Sequence, residues 1–458
     1  MTLEHRLKAQ AYGLGFDLAG IARLGPAETA DVFDRWLEAG YAGEMDYLAR
    51  GAEKRRDTRA PVPGAVSAVV VAMNYGGREP SGPVARYARG DDYHDVMVER
   101  LRELQRWLGE QVGHEVAGRA YVDTGPLLER DLARRAGLGW FGKSTNLINP
   151  SLGSFFFLGA LLVGLPLEPD PPIEADRCGT CTRCIDACPT GAFVAPRTLD
   201  ATRCISYLTI ELKGAIPEAL REGVGGLVYG CDVCQEVCPY NIKFAQALAP
   251  GSPYAAREAI GGKDARALAR DLLSMTQDEF SRAFSKSPMK RAKLRGLKRN
   301  AAVVLGNVGT TEDADVLARA LDDPDPLVRE HAAWALARLQ HQATLDPRAT
   351  AAMSARSSTG RGYPSRATRS IARPTSAVVT TWVGNRRRTS PITGPSTAYD
   401  RRYSALLGRT PSTASIMPGR NMYAARNGSR SRAFSVRPFT RAHIIRPRSV
   451  ASVPAPDT

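Results

Sequence analysis

The chain has 458 residues, 43% of them hydrophobic, so it is long enough for about three domains with cores of ordinary size. No apolar run reaches the length of a membrane span, and the N-terminus lacks the apolar segment of a signal peptide, so we expect a cytoplasmic protein without a membrane segment. The formal charge of +15 is no argument for nucleic-acid binding, because residues 341–458 contain twenty Arg and three Asp but no Lys or Glu, and the rest is close to neutral.

Residues 1–175 alternate between helix-like and strand-like patterns. An amphipathic segment from Leu3 to Leu14 is followed by a short strand-like run, Leu18–Ile21. The continuous β-branched run Val66–Met73 is typical of a strand buried on both faces. Tyr93–Val112 has helical periodicity, and Ala117–Val122 follows as a strand. This mixture predicts an α+β domain, with α/β as the alternative.

Residues 176–250 contain all eight cysteines, which lie between Cys178 and Cys238. A secreted protein would use them for disulfides, but in a long chain without an export signal metal ligation is the better interpretation. The first run is Cys178-x-x-Cys181-x-x-Cys184-x-x-x-Cys188-Pro189, the spacing of bacterial ferredoxins. The second set is Cys204, Cys231, Cys234 and Cys238, and it ends in the same Cys-Pro signature.

This spacing predicts two [4Fe-4S] clusters, because the cysteine before proline ligates the other cluster in such proteins. The first cluster is assigned Cys178, Cys181, Cys184 and Cys238, and the second Cys188, Cys204, Cys231 and Cys234. Two zinc sites are the alternative, but zinc does not require the Cys-x-x-x-Cys-Pro extension. Clusters that only staple the fold are a second alternative to electron transfer.

Residues 251–340 have a helical pattern. Ala301-Ala-Val-Val-Leu305 is echoed by Ala332-Ala-Trp-Ala-Leu336, and a turn at 322–326 precedes the second copy. Paired helices with a period in the thirties predict HEAT-like repeats, although two copies also suit a plain helical bundle.

The composition changes from about residue 341. Residues 341–458 are rich in Arg, Ser, Thr, Pro and Ala and have no apolar periodicity. This is the composition of a disordered basic tail. The absence of Lys and Glu also suits a GC-rich gene read in a shifted frame, and both interpretations stay open.

A set of ordered motifs in residues 1–340 resembles the epoxyqueuosine reductases, cobalamin-dependent iron-sulfur enzymes of tRNA queuosine synthesis. The motifs are Glu53-Lys54-Arg55, Arg86-Tyr87-Ala88-Arg89-Gly90-Asp91-Asp92-Tyr93-His94, Val122-Asp123-Thr124-Gly125-Pro126 with Glu129-Arg130, Ala136-Gly137-Leu138-Gly139-Trp140-x-Gly-Lys143, Gly153-Ser154, Cys204-Ile205-Ser206-Tyr207, Tyr229-Gly-Cys231-Asp232-x-Cys234-Gln235, and Lys298-Arg299-Asn300-Ala301 with Leu305-Gly306-Asn307.

The resemblance implies a reductive-dehalogenase-like cobalamin domain (1–175), a ferredoxin-like two-cluster domain (176–250) and a HEAT-like tRNA-binding domain (251–340), before the tail (341–458). It implies two-electron reduction of epoxyqueuosine to queuosine at the tRNA wobble position, the last step of queuosine synthesis, by cob(I)alamin fed from the clusters. Such a nucleophile suits a strained epoxide and needs a donor of very low potential, such as a ferredoxin or flavodoxin. We expect a monomer.

Opening an epoxide produces an alkoxide, so the reaction needs a proton donor. The resemblance gives this role to Asp123, whose pKa we expect burial beside a corrin to raise. Without the resemblance, an Asp that caps the helix beginning near Pro126 is the simpler interpretation.

The other site residues also come from the resemblance. Cobalamin contacts are implied for Arg55, Asp123, Leu147, Leu158, Ser206, Cys231 and Asp232, and tRNA phosphate contacts for Lys213 and Arg299. A solvated charge for Arg55, core packing for the leucines, and surface charges for Lys213 and Arg299 are the alternatives. The Asp-x-His-x-x-Gly motif of cobalamin proteins is incomplete after Asp92-Tyr93-His94, so we expect base-off cobalamin without a His ligand and a structural role for His94.

Two other functions stay open at the level of sequence. One is a cobalamin-dependent enzyme like the reductive dehalogenases, acting on a halogenated small molecule. The other is a two-cluster electron carrier, which would bind neither cobalamin nor tRNA.

Overall fold

The computed structural model describes residues 1–345, with side chains to residue 342. The helices are α1 (Leu3–Gly13), α2 (Ala30–Glu38), α3 (Asp46–Arg50), α4 (Ala52–Arg55), α5 (Tyr93–Val112), α6 (Glu129–Arg135), α7 (Arg183–Asp186), α8 (Ile205–Ile210), α9 (Glu218–Val224), α10 (Val233–Glu236), α11 (Pro239–Phe244), α12 (Ala265–Ser274), α13 (Gln277–Ala283), α14 (Lys293–Val308), α15 (Ala314–Ala320) and α16 (Pro326–Leu345). The strands are β1 (Leu18–Arg23), β2 (Ser67–Asn74), β3 (Gly118–Tyr121), β4 (Trp140–Phe141), β5 (Leu147–Ile148), β6 (Phe156–Val163), β7 (Phe193–Ala195) and β8 (Thr198–Leu199). Apart from the last turn of α16, the predicted tail lies outside the described residues.

The N-terminal part is built on a four-stranded antiparallel sheet of order β1-β2-β6-β3. β2 confirms the strand predicted from the β-branched run, and it lies in the interior of the sheet between β1 and β6. Val69 and Val71 face one hydrophobic cluster, while Ala68 and Val70 face another, so the strand is buried on both sides. An antiparallel sheet covered by helices makes this an α+β fold.

Helices α1 and α5 cover one face of the sheet, and α6 covers the other. α5 coincides with the helix predicted at Tyr93–Val112. It begins where the Asp92 side chain accepts a hydrogen bond from the backbone N–H of His94, and it ends at Gly113, whose φ of 78° is left-handed. The Asp92 cap fixes the start of α5 and therefore places Tyr93 and His94 in its first turn.

The cysteine segment consists of short elements joined by turns. The β7-β8 hairpin separates the two sets of cysteines, and α7 and α10 each carry one cysteine. Pro239 begins α11 directly after Cys238, where a missing N–H costs nothing. Such short elements leave the chain free to wrap around inorganic clusters.

The C-terminal described part is helical. α12, α14, α15 and α16 share one hydrophobic cluster, and both copies of the repeated motif supply buried residues to it. Gly306 of α14 lies against the Trp334 ring of α16, so a side chain at this position would collide with the ring. None of the described helices is both long enough and apolar enough to cross a bilayer.

Candidate active site

The first predicted cysteine quartet comes together in the structure. Burial and the charges of its three partners raise the pKa of Cys184, and these partners are Cys178, Cys238 and Cys181. None of the eight cysteines forms a disulfide, and all are partly buried. Among the described residues, no three His, Cys, Asp or Glu side chains converge closely enough to hold a single metal ion. A tetrahedral zinc site would need sulfurs about 3.8 Å apart.

The second quartet adjoins the first. Burial, Cys204 and Cys188 together raise the pKa of Cys231 to about 12. The pKa of Cys234 is raised mainly by burial, then by the charges of Cys231 and Cys204, and also by Cys184 of the first quartet. The two quartets are therefore close enough for electrons to pass between clusters held in them.

A cleft runs from the second quartet along the end of the sheet at which β2 and β3 finish and β6 begins. Its two hollows have volumes of about 380 and about 820 Å³, and they share Tyr87, Tyr93, Asp123 and Leu199 as walls. Cys204 and Ser206 line the smaller hollow. Asp123 therefore lies in the same hollow as a predicted cluster ligand.

Asp123 occupies a tight turn directly after β3. Its φ is 56°, and it lies six residues before α6 begins, so it does not cap that helix. The Tyr93 hydroxyl donates to Asp123 Oδ2 at 2.9 Å, and His94 Nε2 lies 3.8 Å from the same oxygen. The side chain projects into the open cleft, where 67% of it is accessible to water.

The pKa of Asp123 shifts opposite to the expected direction. Partial desolvation by the cleft walls would raise it, but the neighbouring His94 and Tyr93 outweigh this desolvation and lower it. Glu129 is the protonated member of this carboxyl pair at neutral pH, because burial and the Asp123 charge raise its pKa to about 8. Two carboxyl groups so close cannot both ionise freely.

His94 lies beside the candidate acid, where the sequence indicated only a structural residue. Its Nδ1 lies 2.6 Å from Asp92 Oδ1, and its ring stacks on Tyr93. Burial would lower the pKa of His94, but Asp123 and Asp92 raise it to about 9. The signal for this role was present in the Asp92-Tyr93-His94 motif, but the sequence does not reveal that the motif faces Asp123.

The protonation of His94 can be tested against a second histidine. Deep burial lowers the pKa of His331 to about 4, so it is neutral at pH 7, whereas His94 is a cation until the pH rises through about 9. In NMR titrations of ring-labelled histidine we expect midpoints near these two values. Asp92→Asn should lower only the His94 midpoint, because it removes one of the two carboxylates. A His94 midpoint near 6.5 in the wild type would contradict this arrangement.

Three of the predicted cofactor contacts lie in different surroundings. Arg55 is 8% exposed, unlike its exposed neighbours Lys54 and Arg56, so it is not a solvated charge. Leu158 lines the larger hollow, whereas Leu147 packs in the core beneath it and is not part of the cleft wall. The role of each residue toward a cofactor stays a prediction.

Asp232 is buried beside the second quartet. Its Oδ2 accepts from the backbone N–H of Arg86 at 2.8 Å and from Arg86 Nη1 at 3.0 Å. Its Oδ1 is buried without a hydrogen-bond partner. A buried carboxylate oxygen without a donor is costly, and a donor group on a bound molecule would satisfy it.

The prediction that Arg299 binds tRNA phosphate is wrong. Arg299 is 1% exposed, and its five N–H groups donate to the carbonyls of Leu208, Leu212 and Gly214 and to Asn300 Oδ1. Burial lowers the pKa of Arg299 to about 10. The guanidinium joins α14 to the loop after α8, and it has no donor left for a phosphate. Lys213, in that loop, is exposed and its contact with tRNA stays a prediction.

Substitution of these two residues should have different effects. Arg299→Ala leaves three carbonyls without their donor, at roughly 1–3 kcal/mol for each. We expect the melting temperature to fall by about 6 °C or more. Lys213→Ala should leave it unchanged and weaken tRNA binding, with the slope of log Kd against log salt reduced by about one. A stable Arg299→Ala protein with a selective loss of tRNA affinity would restore the first interpretation.

Three family models match the chain. They are described as 4Fe-4S double cluster binding domain (residues 177–241), epoxyqueuosine reductase QueG, DUF1730 (residues 55–124), and HEAT repeats (residues 292–369). The first and third confirm the predicted two-cluster and HEAT-like regions.

Relatives that match about three quarters of the chain include several epoxyqueuosine reductases. The epoxyqueuosine reductase of Pseudomonas aeruginosa is 42% identical over 347 residues, which cover 73% of this chain and 94% of the relative. A crystal structure of an epoxyqueuosine reductase with an epoxyqueuosine-modified tRNA-Tyr stem loop matches with a TM-score of 0.66 and 32% identity, over 77% of this chain and 97% of that one. The Bacillus subtilis enzyme, with its catalytic aspartate loop swung out of the active site, matches with a TM-score of 0.62 and 32% identity, over 77% and 97%.

Proposed function

The chain belongs to the epoxyqueuosine reductase family, and from this premise we propose that it reduces epoxyqueuosine to queuosine at the wobble position of tRNA. The epoxide gains two electrons and two protons, its oxygen leaves as water, and an alkene remains. The observation that carries the proposal is the shared hollow, which brings Asp123 together with Cys204 of the second quartet. A proton source and an electron source thus meet at one cleft.

The residues present fit the family's cofactors, two [4Fe-4S] clusters and cobalamin. The eight cysteines form two adjoining quartets, and the cleft beside them has aromatic and aliphatic walls. The unpartnered Asp232 Oδ1 is an acceptor for a donor group on a bound molecule. We assign cobalamin binding to Arg55, Leu158, Ser206, Cys231 and Asp232, with Leu147 supporting the wall from the core. Cobalamin, when bound, supplies a cobalt nucleophile of low potential for the strained epoxide carbon.

Asp123 is the proposed proton donor to the oxygen released from the epoxide. Tyr93 orients its carboxylate through the hydrogen bond to Oδ2. His94 is cationic at neutral pH and faces the same oxygen, so it is the proton reserve behind Asp123. An alkoxide is a far stronger base than a carboxylate and therefore draws the proton through Asp123. By analogy with the Bacillus subtilis relative, we propose that the loop carrying Asp123 can leave the cleft.

The tRNA and the electron donor also contact surfaces away from Asp123. We propose that the HEAT-like helices and the exposed Lys213 bind the tRNA backbone, and that Lys290 and Arg291 at the smaller hollow face the anticodon loop. A low-potential carrier such as ferredoxin or flavodoxin delivers single electrons to the first quartet, none of whose cysteines lines the cleft. We further propose that the enzyme works as a monomer in the cytoplasm.

Direct conversion tests the proposal. The anaerobically purified chain, with reconstituted clusters, cobalamin, a reductant and tRNA containing epoxyqueuosine, should yield queuosine by nucleoside mass spectrometry. Omission of cobalamin should abolish the product. If the protein neither converts the tRNA nor binds cobalamin, it is a two-cluster electron carrier. If it binds cobalamin but dehalogenates small molecules instead, it is a dehalogenase-like enzyme.

A further inference from the structure

Two residues on the cleft wall have backbone conformations that side chains disfavour. Asp123 has a φ of 56° and Thr145 a φ of 65°, and both line the larger hollow. A residue other than glycine in this region places its Cβ too close to the backbone, so it persists only where the surroundings hold it. Contacts with neighbouring residues must therefore hold these two turns.

The Asp123 turn is held by Glu129. The N–H of Thr124 donates to the carbonyl of Val122 at 2.6 Å, which closes a three-residue turn around Asp123. The N–H of Asp123 donates to Glu129 Oε1 at 2.7 Å. The Glu129 carboxyl thus fixes the backbone of Asp123, whose side chain projects into the cleft.

The Thr145 turn is held by Arg130, the residue that follows Glu129 in α6. This turn connects β4 to β5, and the N–H of Thr145 donates to the carbonyl of Gly142 at 3.0 Å. Arg130 Nη1 donates to the carbonyl of Thr145 at 2.7 Å. Consecutive side chains of α6 therefore each bind the backbone of one strained residue.

Both side chains project from a rigid base. Glu129 and Arg130 open α6, and the buried Asp131 that follows accepts hydrogen bonds from the N–H groups of Glu28 and Thr29. Leu132 and Ala133 of the same helix are fully buried against the sheet. The start of α6 is therefore held in place, and it anchors the two side chains that bind the turns.

We propose that Glu129 and Arg130 are positioning residues: Glu129 clamps the Asp123 turn and so places Asp123 in the cleft, and Arg130 clamps the Thr145 turn of the cleft wall. The inference rests on the proposed function, because the clamp matters for catalysis only if Asp123 is the proton donor. It gives Glu129 and Arg130 a role in addition to lining the larger hollow. The pKa of Glu129, raised by burial and the Asp123 charge to about 8, fits this role, since a neutral carboxyl accepts the N–H without repelling Asp123.

The clamp is tested first without turnover. In the full chain with its clusters but without cobalamin, we expect hydrogen exchange of the 122–127 backbone to be at least about tenfold faster in Glu129→Ala than in the wild type. Glu129→Gln keeps an acceptor oxygen and should exchange at the wild-type rate. Arg130→Ala should loosen residues 142–146 in the same way. Glu103→Ala and Arg102→Ala on the exposed side of α5 are the matched controls, and unchanged exchange in β2 and β6 shows that each variant is folded.

The second measurement is turnover with cobalamin and modified tRNA. A misplaced acid should lower kcat of Glu129→Ala by about 10²-fold with little change in KM, and Glu129→Gln should restore it. Wild-type exchange in Glu129→Ala would overturn the clamp. A Glu129→Gln enzyme as slow as the alanine variant would also overturn it, because the carboxyl itself would then be required. If the wild type converts no tRNA, the proposed function fails, while the exchange data still decide the clamp.

Discussion

Asp123→Asn is expected to lower kcat by about 10²- to 10⁴-fold, the usual contribution of a positioned general acid. Asparagine has the same shape and still accepts the Tyr93 hydroxyl, but it cannot pass a proton from His94 to the released oxygen. The loss should therefore appear in the chemical step. Single-turnover conversion of epoxyqueuosine-containing tRNA, measured by nucleoside mass spectrometry, checks it.

The controls separate chemistry from binding. Cluster content, cobalamin binding and tRNA affinity should stay within about twofold of the wild type, because in the proposed mechanism the asparagine occupies the same volume in the cleft. Asp95→Asn, an exposed change in the first turn of α5, should leave the rate unaltered. If Asp123→Asn keeps more than a tenth of the wild-type rate, the proton comes from another group, and Glu129 would be the first to examine.

The second large effect concerns the assignment of cysteines to clusters. A double substitution within one quartet, Cys178→Ser with Cys238→Ser, should remove one cluster and leave about four of about eight irons per chain. A double substitution across the quartets, Cys178→Ser with Cys188→Ser, should remove both clusters. In either case no queuosine should form, because the path from the surface to the cleft is broken.

Iron analysis and electron paramagnetic resonance of the reduced proteins measure this difference. The pair Cys188→Ser with Cys204→Ser is the matched control, since it also lies within one predicted quartet and should again leave about four irons. The assignment fails if the Cys178 and Cys238 pair removes all the iron. A variant that loses one cluster but still forms queuosine with an external donor would show that electrons can enter at the second quartet directly.

The local elements were predictable because their signals are short in range. The run of β-branched residues predicted β2, and the helical periodicity of Tyr93–Val112 predicted α5. Cysteine spacing indicated two [4Fe-4S] clusters, because Cys178, Cys181 and Cys184 stand three residues apart and Cys188 and Cys238 each precede a proline, as in two-cluster ferredoxins. The repeated alanine-rich motif similarly indicated the paired helices of the C-terminal part.

The fate of individual charged side chains was not predictable, because it depends on partners far away in the chain. The sequence suggested that Arg299 is a surface cation. In the structure it is buried, and its guanidinium donates to backbone carbonyls 85 to 91 residues earlier in the chain. Arg55 is buried between exposed basic neighbours, which no local pattern shows.

What the sequence determined by itself is the chemistry: eight thiolates for two clusters, and the motifs that belong to one enzyme family. The contacts that hold Asp123, the proposed acid, became visible only in the fold: His94 and Tyr93 from α5 lie at its side chain, and Glu129 from α6 binds its backbone. The reason is physical. The spacing of the cysteines and the prolines that follow two of them are readable from the chain, whereas the pKa and position of a carboxyl depend on every charge and donor that folding brings within a few ångströms of it.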